Sequence, residues 1–338
     1  MDSRNQKNCR PFPQQLSGRI RVLGNGPFPV YLVRGDRFSA LIEAGISATA
    51  DEVVRRLDRL GVTPDFIVIT HPHGDHMMGL DPLRERYPGI RVLTGEGAAA
   101  FLSHPRTTKS IVAEDRHMAA YLAAQGYPVG CTPMEKVPDL EDALICKDGE
   151  ELDLGGVTLR FLEVRGHSPG NLAVFVPEEK TLLASDCLGF HYSGGGFFPV
   201  FFTGYREYMA TLDRLESLRP EILGLGHHWF MRTEDAAEAF VLARRSAAGL
   251  RERLRDDSRD GETVVAEIVN EFYRDELTLY SRENITNCCR LLIRRSLEEE
   301  KECSTNARSI STESFAAGTR RTSMSCRTAS GGVRRSSR

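Results

Sequence analysis

The chain has 338 residues, of which 41% are hydrophobic and 27% are charged, and this mixture is typical of a globular protein that buries a sizeable core. The net charge of −3 argues against binding to nucleic acid or to anionic membranes through overall charge. No run of about 18 apolar residues occurs, so the sequence predicts no transmembrane helix.

Two features of the sequence bear on its compartment. The opening segment MDSRNQKNCRPFPQQL is polar and lacks the apolar core of a secretory signal. The eight cysteines are scattered and form no CxxC pair, which favours reduced thiols over a disulfide framework. We therefore expect a cytoplasmic protein.

The first third of the chain predicts strands followed by a helix and a buried strand. Residues 19–44 contain β-rich runs separated by glycines and charged turns. A helix is predicted over 49–61, because apolar positions recur at helical spacing and Gly61 ends the pattern. The apolar run DFIVIT (65–70) is typical of a strand that is buried on both faces. Residues 82–124 mix helix and strand.

The β pattern returns from residue 157 with three predicted strands, VTLRFLEV, NLAVFVP and TLLASD. A helix is predicted over 204–218, and a strand, EILGLG, over 221–226. This order predicts a mixed α/β fold of the αββα type, in which two sheets pack face to face and helices cover their outer faces.

The chain becomes helical from about residue 233. We expect a catalytic domain over 1–258 and a C-terminal helical extension over 259–300, with helices near 262–277 and 282–299. The remaining segment, 301–338, is basic, rich in Ser and Arg and poor in apolar residues, so disorder is predicted for it.

The strongest chemical signal is the segment THPHGDH, which follows the predicted strand DFIVIT. Its four potential metal ligands are His71, His73, Asp75 and His76. An extended segment places alternate side chains on one side, and a turn at Gly74 then brings His76 to the same point. So many ligand-type side chains this close together indicate a metal site, because without a cation their burial would cost stability.

Three later residues stand at the ends of predicted strands. His167 lies in RGHSPGN, Asp186 ends TLLASD and His227 ends EILGLG. Each alone is weak evidence, since isolated His and Asp residues usually have structural roles. Together they predict one shared rim, and His228 competes with His227 for the role of ligand.

These motifs resemble those of the metallo-β-lactamase superfamily over roughly residues 18–235. THPHGDH matches the pattern T-H-x-H-x-D-H, GHSPGN matches the third-histidine motif, SD matches the bridging aspartate, and GLGHH matches the final histidine. The resemblance implies a metallo-β-lactamase sandwich with two divalent metal ions that share Asp186. The ligands that it implies for one metal are His71, His73, His167 and Asp186. Those that it implies for the other are Asp75, His76, Asp186 and His227.

Details of the motifs resemble particular branches of that superfamily. A bridging aspartate looks like the glyoxalase II, lactonase and thioesterase branches, and the neighbouring Cys187 is not expected to be a ligand. A histidine at position 73 argues against the flavodiiron branch. Two residues depart from the pattern: Glu43 stands where the family often has Asp, and His228 stands where it usually has Gly.

The resemblance implies a dinuclear hydrolase of a small thioester or ester, with a metal-bridging hydroxide as nucleophile. Zinc is the favoured metal, with iron or manganese as alternatives. Asp75 is expected to take up the proton of the water, and Tyr205 or His191 to donate a hydrogen bond to the substrate, with Tyr205 as the preferred residue. The aromatic segment 191–208 follows Asp186, so it is expected to overlook the metals and to suit an acyl or aromatic substrate.

Several alternatives remain open at this point. The same motifs are compatible with a lactonase, with a mononuclear iron persulfide dioxygenase and with a phosphodiesterase. A metal-binding regulatory protein is the non-enzymatic alternative. The expected partner is a small-molecule thioester or ester, with no nucleic acid and no membrane, and a homodimer through the C-terminal helices is possible.

Overall fold

The structure is a computed structural model. It describes residues 12–130, 133–228, 230–255 and 259–313, with side chains as far as residue 297. Met1–Glu298 form one compact unit, and the chain from Glu299 onward forms a second unit. Among the described residues, no helix combines the length and the apolar character needed to cross a bilayer.

The first sheet has seven strands, arranged in chain order from β1 to β7. These strands are β1 (Gln14–Gln15), β2 (Ile20–Val22), β3 (Tyr31–Arg34), β4 (Ser39–Ile42), β5 (Phe66–Ile69), β6 (Arg91–Gly95) and β7 (Leu144–Cys146). Strands β1 to β4 pair antiparallel, whereas β4 to β7 pair parallel. Because β4 and β5 are parallel neighbours, the chain leaves both of them at the same edge of the sheet.

The second sheet has six strands in the order β15-β14-β11-β10-β9-β8. These strands are β8 (Glu151–Asp153), β9 (Thr158–Glu163), β10 (Leu172–Val176), β11 (Thr181–Ser185), β14 (Ile222–Leu225) and β15 (Phe230–Arg232). A separate hairpin consists of β12 (Phe190–Tyr192) and β13 (Gly196–Phe198). Strands β11 and β14 are parallel, and β9 points the same way because both β9 and β11 pair antiparallel with β10.

The α-helices of the described chain lie between and after these strands. They are α1 (Ala50–Leu60), α2 (Gly74–Met77), α3 (Leu80–Arg86), α4 (Ala98–Leu102), α5 (Pro105–Ala124), α6 (Tyr205–Ser217), α7 (Thr233–Arg255), α8 (Gly261–Phe272) and α9 (Arg282–Glu313). A short 3₁₀ turn, Asp275–Leu279, connects α8 to the segment before α9.

The alternation of side chains along each strand divides the core into layers. In β3, Tyr31 and Val33 face a core that the two sheets share, whereas Leu32 faces the helices on the outer side of the first sheet. In β10, Val174 faces the shared core and Phe175 faces the helices of the second sheet. The two sheets therefore pack face to face between helices, and the predicted αββα fold is confirmed.

The predicted elements agree with the structure apart from their ends. Helix α1 ends at Gly61, whose φ of 62° is the left-handed conformation that glycine adopts most readily. The predicted boundary between catalytic domain and extension at residue 258 stays a prediction. The last helix continues past residue 300 to Glu313, so it is longer than predicted, and the rest of the predicted tail lies outside the described residues.

Candidate metal centre

The predicted ligands lie where strands of both sheets end. His71 follows β5 in the first sheet after one intervening residue, and Asp186 directly follows β11 in the second. His227 follows the parallel strand β14, where the amide of Gly226 donates to the carbonyl of Ser185 at 3.0 Å. The ends of these strands meet at one edge, and this brings together residues that are distant in the sequence.

Gly74 has a different role from the predicted one. It begins the single-turn helix α2 without a left-handed φ, so the turn itself does not require glycine. A Cβ at this position would lie 2.9 Å from the Cγ2 atom of Ile111 on α5. Glycine is needed here because helix α5 approaches the backbone closely. The next two residues, Asp75 and His76, belong to a second group of potential ligands, which is described below.

Three histidines form what we call the first histidine group: His71, His73 and His167. The Nε2 atom of His167 lies 3.3 Å from Nε2 of His71 and 3.2 Å from Nδ1 of His73. Burial is the largest cause that lowers the pKa of all three, and it lowers the pKa of His73 to about 3. The three rings are therefore neutral, and each can offer a lone pair to a cation.

Four buried residues form what we call the mixed group: Asp75, His76, Asp186 and His227. Burial opposes ionisation of Asp75 and Asp186, but the adjacent His76 and His227 outweigh it and lower the pKa of both carboxyls. Conversely, the carboxylates overcome burial and raise the pKa of His227 to about 9. The pocket between these residues therefore favours a positive charge, which a proton or a metal ion can supply.

Asp186 lies between the two groups. Its Oδ2 atom is 3.4 Å from Nε2 of His76, 3.8 Å from Nε2 of His167 and 3.9 Å from Nε2 of His71. Its Oδ1 atom is 3.5 Å from Nε2 of His227. One carboxylate thus faces donor atoms of both groups, as a residue that bridges two cations must.

The outer ring nitrogens of two of these histidines are bound by backbone carbonyls. Nδ1 of His227 donates to the carbonyl of Pro27 at 2.8 Å, and Nδ1 of His167 donates to that of Val200 at 3.1 Å. Because a carbonyl can only accept, each Nδ1 carries a proton, and Nε2 is the ring nitrogen of each that faces the centre and could bind a metal.

The residues present fit a metal ion. Within the described part of the chain, the buried atoms without a hydrogen-bond partner include Nε2 of His76 and Oδ1 of Asp186, and both atoms belong to the mixed group. Buried polar atoms are costly when they are left unsatisfied, and a cation would satisfy both of them. Imidazole and carboxylate donors are the usual ligands of zinc and of other transition metals.

A tyrosine from the C-terminal extension reaches the mixed group, and no pattern in the sequence indicates it. The Tyr280 hydroxyl donates to Oδ2 of Asp75 at 2.6 Å and lies 3.0 Å from Nε2 of His227. Tyr205, which the sequence analysis places at the site, is not among the residues that line the adjacent cavity. Its ring packs edge-on against Phe201, so the geometry favours Tyr280 as the tyrosine of this site.

A cavity of about 390 Å³ opens from the metal centre. Its polar lining includes Asp75 and His167 of the metal centre as well as Arg106 and Asn284, and most of its exposed wall is apolar. The predicted aromatic segment contributes in part: Phe198 and Phe202 line the cavity, whereas Phe201 is buried in the core. Its other apolar lining residues include Phe101, Ile111, Met118, Phe190, Leu277, Ile285 and Leu291.

The sequence of the chain matches the family model of the metallo-beta-lactamase superfamily over residues 24–227. The chain belongs to the metallo-beta-lactamase superfamily. The match covers the segments that carry both ligand groups, from His71 to His227. Members of this superfamily are typically hydrolases, and the His/Asp groups described above are able to hold a metal.

Individual relatives are more distant. A metallo-beta-lactamase fold-containing protein of Sulfurisphaera tokodaii is 29% identical over 201 residues, which are 59% of this chain and 71% of that protein. A hydroxyacylglutathione hydrolase of Brucella abortus is 24% identical, and the match covers 47% of this chain and 50% of that enzyme. The solved structure of a metallo-beta-lactamase family protein from Thermus thermophilus has the same fold, with a TM-score of 0.59 and 23% identity over 85% of this chain and 95% of that one.

Position 43 carries Glu where the family often has Asp, and the carboxylate of this longer side chain lies next to His76. Oε1 of Glu43 accepts hydrogen bonds from Thr70 Oγ1 at 2.6 Å and Ser185 Oγ at 2.7 Å, and lies 3.3 Å from Nδ1 of His76. Glu43 and Ser185 both have positive φ, 75° and 50°. This strained backbone is held by the hydrogen bonds between the two strand ends.

The second departure, His228, does not belong to either ligand group. Its backbone φ is 55°, and its amide donates to the carbonyl of Gly26 at 2.7 Å. Its ring contacts Phe190 edge-on. Of the two adjacent histidines, His227 is therefore the one that faces the metal centre.

Proposed function

We propose that this protein is a dinuclear metal-dependent hydrolase that cleaves a small thioester or ester. The position of Asp186 between the first histidine group and the mixed group is the observation that supports this proposal most strongly. Two separate ligand groups that share one carboxylate suit two cations, and zinc is the favoured metal because histidine predominates among the donors. Iron or manganese would be alternatives.

Metal ions held by these residues would lower the pKa of bound water and polarise a carbonyl oxygen. The protein's own contribution is to orient the reactants. Asp75 lines the cavity and its pKa is lowered, which supports the proposal that it accepts the proton of the attacking water. The hydrogen bonds from His167 and His227 to backbone carbonyls keep a proton on each Nδ1, so that Nε2 is the nitrogen that would bind a metal.

The cavity wall supports an apolar acyl or aromatic group as the part of the substrate next to the reacting carbonyl. Phe198, Phe202 and Phe190 line the space beside the metal centre. An apolar substrate group in this position would displace water from the faces of the phenylalanine rings. This hydrophobic contact would stabilise the complex between the protein and its substrate. The Brucella relative is named as a hydrolase of hydroxyacylglutathione, which is compatible with this substrate class, but only half of that enzyme is matched.

Metal analysis tests the dinuclear centre directly. We expect the purified protein to contain about two metal ions per chain, and Asp186→Ala to lose most of them because both groups lose a donor. The matched control is Asp213→Ala, which removes an exposed carboxylate on α6. A wild-type protein that binds no zinc, manganese or iron would reject the proposal.

Activity is then measured on a panel of acyl and aromatic thioesters, esters, lactones and phosphodiesters with each metal added. We expect thioesters or esters with apolar acyl groups to be cleaved, and Asp186→Ala to be inactive. Preferential cleavage of lactones or phosphodiesters would assign the site to one of the alternative functions. Oxygen consumption with a persulfide at one iron per chain would instead indicate a dioxygenase.

The compartment and the partners stay proposals. We propose a cytoplasmic protein whose partner is the small-molecule substrate, without nucleic acid or membrane. A homodimer through the C-terminal helices is proposed as well, and sedimentation of the full chain tests it. A monomer at micromolar concentration would contradict the dimer without affecting the metal centre.

A further inference from the structure

The segment that carries Tyr280 is fixed on both sides by carboxylates. Before Tyr280, the buried side chain of Glu276 accepts hydrogen bonds from the amide of Ser193 at 3.1 Å and from the Ser193 hydroxyl. After it, Glu114 on α5 accepts from the amide of Ser281 at 3.1 Å and from the Ser281 hydroxyl. Charge-assisted hydrogen bonds of this kind hold the backbone firmly, so the position of the tyrosine is built into the fold.

The Tyr280 oxygen has the spacing of a metal donor. Within the mixed group, donor atoms are 3.2 Å apart between Asp75 and His227 and 3.4 Å apart between Asp75 and His76. Tyr280 Oη adds distances of 2.6 Å to Asp75 Oδ2 and 3.0 Å to His227 Nε2. With metal–ligand bonds of about 2.1 Å, donors at a right angle are about 3.0 Å apart and tetrahedral donors about 3.4 Å. The 3.0 Å distance from the phenol oxygen to His227 matches donors at a right angle, whereas the 2.6 Å distance to Asp75 is that of a hydrogen bond and would lengthen when a metal replaces the proton.

The hydrogen-bond pattern at this corner points to the same conclusion. Nδ1 of His227 donates to the carbonyl of Pro27, so Nε2 is the atom of this ring that faces Tyr280 and Asp75. The single hydroxyl proton of Tyr280 donates to Asp75 and cannot donate to His227 at the same time. A cation among the three atoms would accept electron pairs from all of them.

We propose that Tyr280 is a further ligand of the metal ion that is held by the mixed group, and that the C-terminal extension supplies it. The proposal rests on the proposed function only in requiring that a metal binds there. On coordination the hydroxyl proton is released to solvent, as protons are from other ligands when they bind metals. The extension would then supply one donor of the metal centre, and Tyr280 also lines the adjacent cavity.

Ferric iron is the probe that tests this ligand, because a phenolate bound to ferric iron absorbs visible light by charge transfer and bound imidazole or carboxylate does not do so strongly. The full chain is loaded with ferric citrate, freed of excess iron and examined by absorption and resonance Raman spectroscopy. We expect the iron-loaded wild-type protein to be coloured and to show tyrosinate vibrations. We expect the Tyr280→Phe variant to retain iron but to lack the colour. Zinc affinity, measured by competition with a chromophoric chelator, is expected to fall roughly tenfold or more in Tyr280→Phe.

The matched control is Tyr87→Phe, which removes a buried hydroxyl that has no hydrogen-bond partner in the described structure. It should keep both the colour and the zinc affinity. A wild-type protein that binds ferric iron and stays colourless overturns the ligand role of Tyr280 while leaving the metal centre intact. A wild-type protein that binds neither iron nor zinc overturns the proposed function and this inference together. Colour that persists in Tyr280→Phe also overturns the assignment.

Discussion

Gly226 lies between the end of β14 and His227, against the carboxylate of Asp186. A Cβ built at this position would be 2.1 Å from Oδ1 of Asp186 and 3.0 Å from Cε1 of His76. Both neighbours are metal-centre side chains, and neither contact involves backbone. The space beside Gly226 is therefore occupied by the carboxylate of Asp186, and only a hydrogen atom fits there.

We expect Gly226→Ala to displace the Asp186 carboxylate and to lower zinc affinity roughly tenfold to a hundredfold, while the protein still folds. Competition with a chelator measures the affinity, and circular dichroism checks the fold. The control is Gly249→Ala within α7, where the added Cβ would meet no described atom within 4 Å apart from the backbone of its own helix. That variant should keep its metal and gain about 0.5–1 kcal/mol of stability. Equal zinc affinity in the two variants would contradict the placement of Asp186.

Glu43 is the residue that holds His76 from behind. Its Oε1 atom accepts from Thr70 and Ser185 and lies 3.3 Å from Nδ1 of His76. A carboxylate in this position favours a proton on Nδ1 and leaves Nε2 for the metal. Glutamine keeps the shape of the side chain but loses the charge and the capacity to accept from every direction.

We therefore expect Glu43→Gln to weaken zinc binding by roughly tenfold, with a smaller effect on stability in the absence of metal. Isothermal titration with zinc checks this, and differential scanning calorimetry of the metal-free protein supplies the comparison. The control, Glu221→Gln, changes an exposed carboxylate that pairs with Lys180. If both variants bind zinc like the wild type, Glu43 does not position His76.

At the scale of elements, the ends of strands explain why the ligands could be predicted. Asp186 and His227 follow the parallel neighbours β11 and β14, and Glu43 and His71 follow the parallel neighbours β4 and β5. Runs of apolar residues mark these strands in the sequence, and the ligand types stand at their ends. The seven predicted ligands accordingly fall into the two groups that the structure brings together.

Tyr280 shows what the sequence could not indicate. It lies in a short segment between a 3₁₀ turn and α9, without an apolar period or a motif of its own. The residues on either side of it, Glu276 and Ser281, form hydrogen bonds with Ser193 and Glu114. These partners are distant in the sequence, so the position of Tyr280 depends on contacts that a local pattern does not show. The aromatic run before Tyr205 favours that residue instead, but the run alternates between the cavity wall and the core. Local pattern cannot separate these two environments.

The hydrogen bonds between Glu114 and Ser281 should stabilise the packing of the C-terminal extension against α5. We expect Glu114→Ala to lower the free energy of unfolding by about 1–3 kcal/mol, because two hydrogen bonds to a charged group are lost. Amide hydrogen exchange over residues 275–285 should become faster. In Glu267→Ala, which removes an exposed partner of Arg259, the change should stay within about 1 kcal/mol and exchange in this segment should be unaffected. Unaltered exchange in Glu114→Ala would show that the docking depends on other contacts.

At the scale of the whole molecule, the metal centre joins the two sheets. His71, His73, Asp75 and His76 come from the loop after β5 in the seven-stranded sheet, and the remaining ligands come from the six-stranded sheet. The buried carboxylates and imidazoles are also the most costly polar groups at this edge of the core, since the burial of charge is expensive without a partner. A metal bound here would satisfy these groups and hold the two halves of the fold together.

The stability of the protein should therefore depend on metal concentration. A ligand that binds only the folded state adds about 2.7 kcal/mol at a free concentration of a hundred times its Kd, and a shared site adds this for each ion. We expect urea denaturation to shift to lower midpoints when zinc is replaced by a chelator, and Asp186→Ala to unfold at the same urea concentration under both conditions. The comparison depends on this insensitivity of the variant to the chelator. If the chelator lowered the urea midpoint of the wild type and of Asp186→Ala equally, it would be acting at another site. The two sheets would then not be joined through a metal at Asp186.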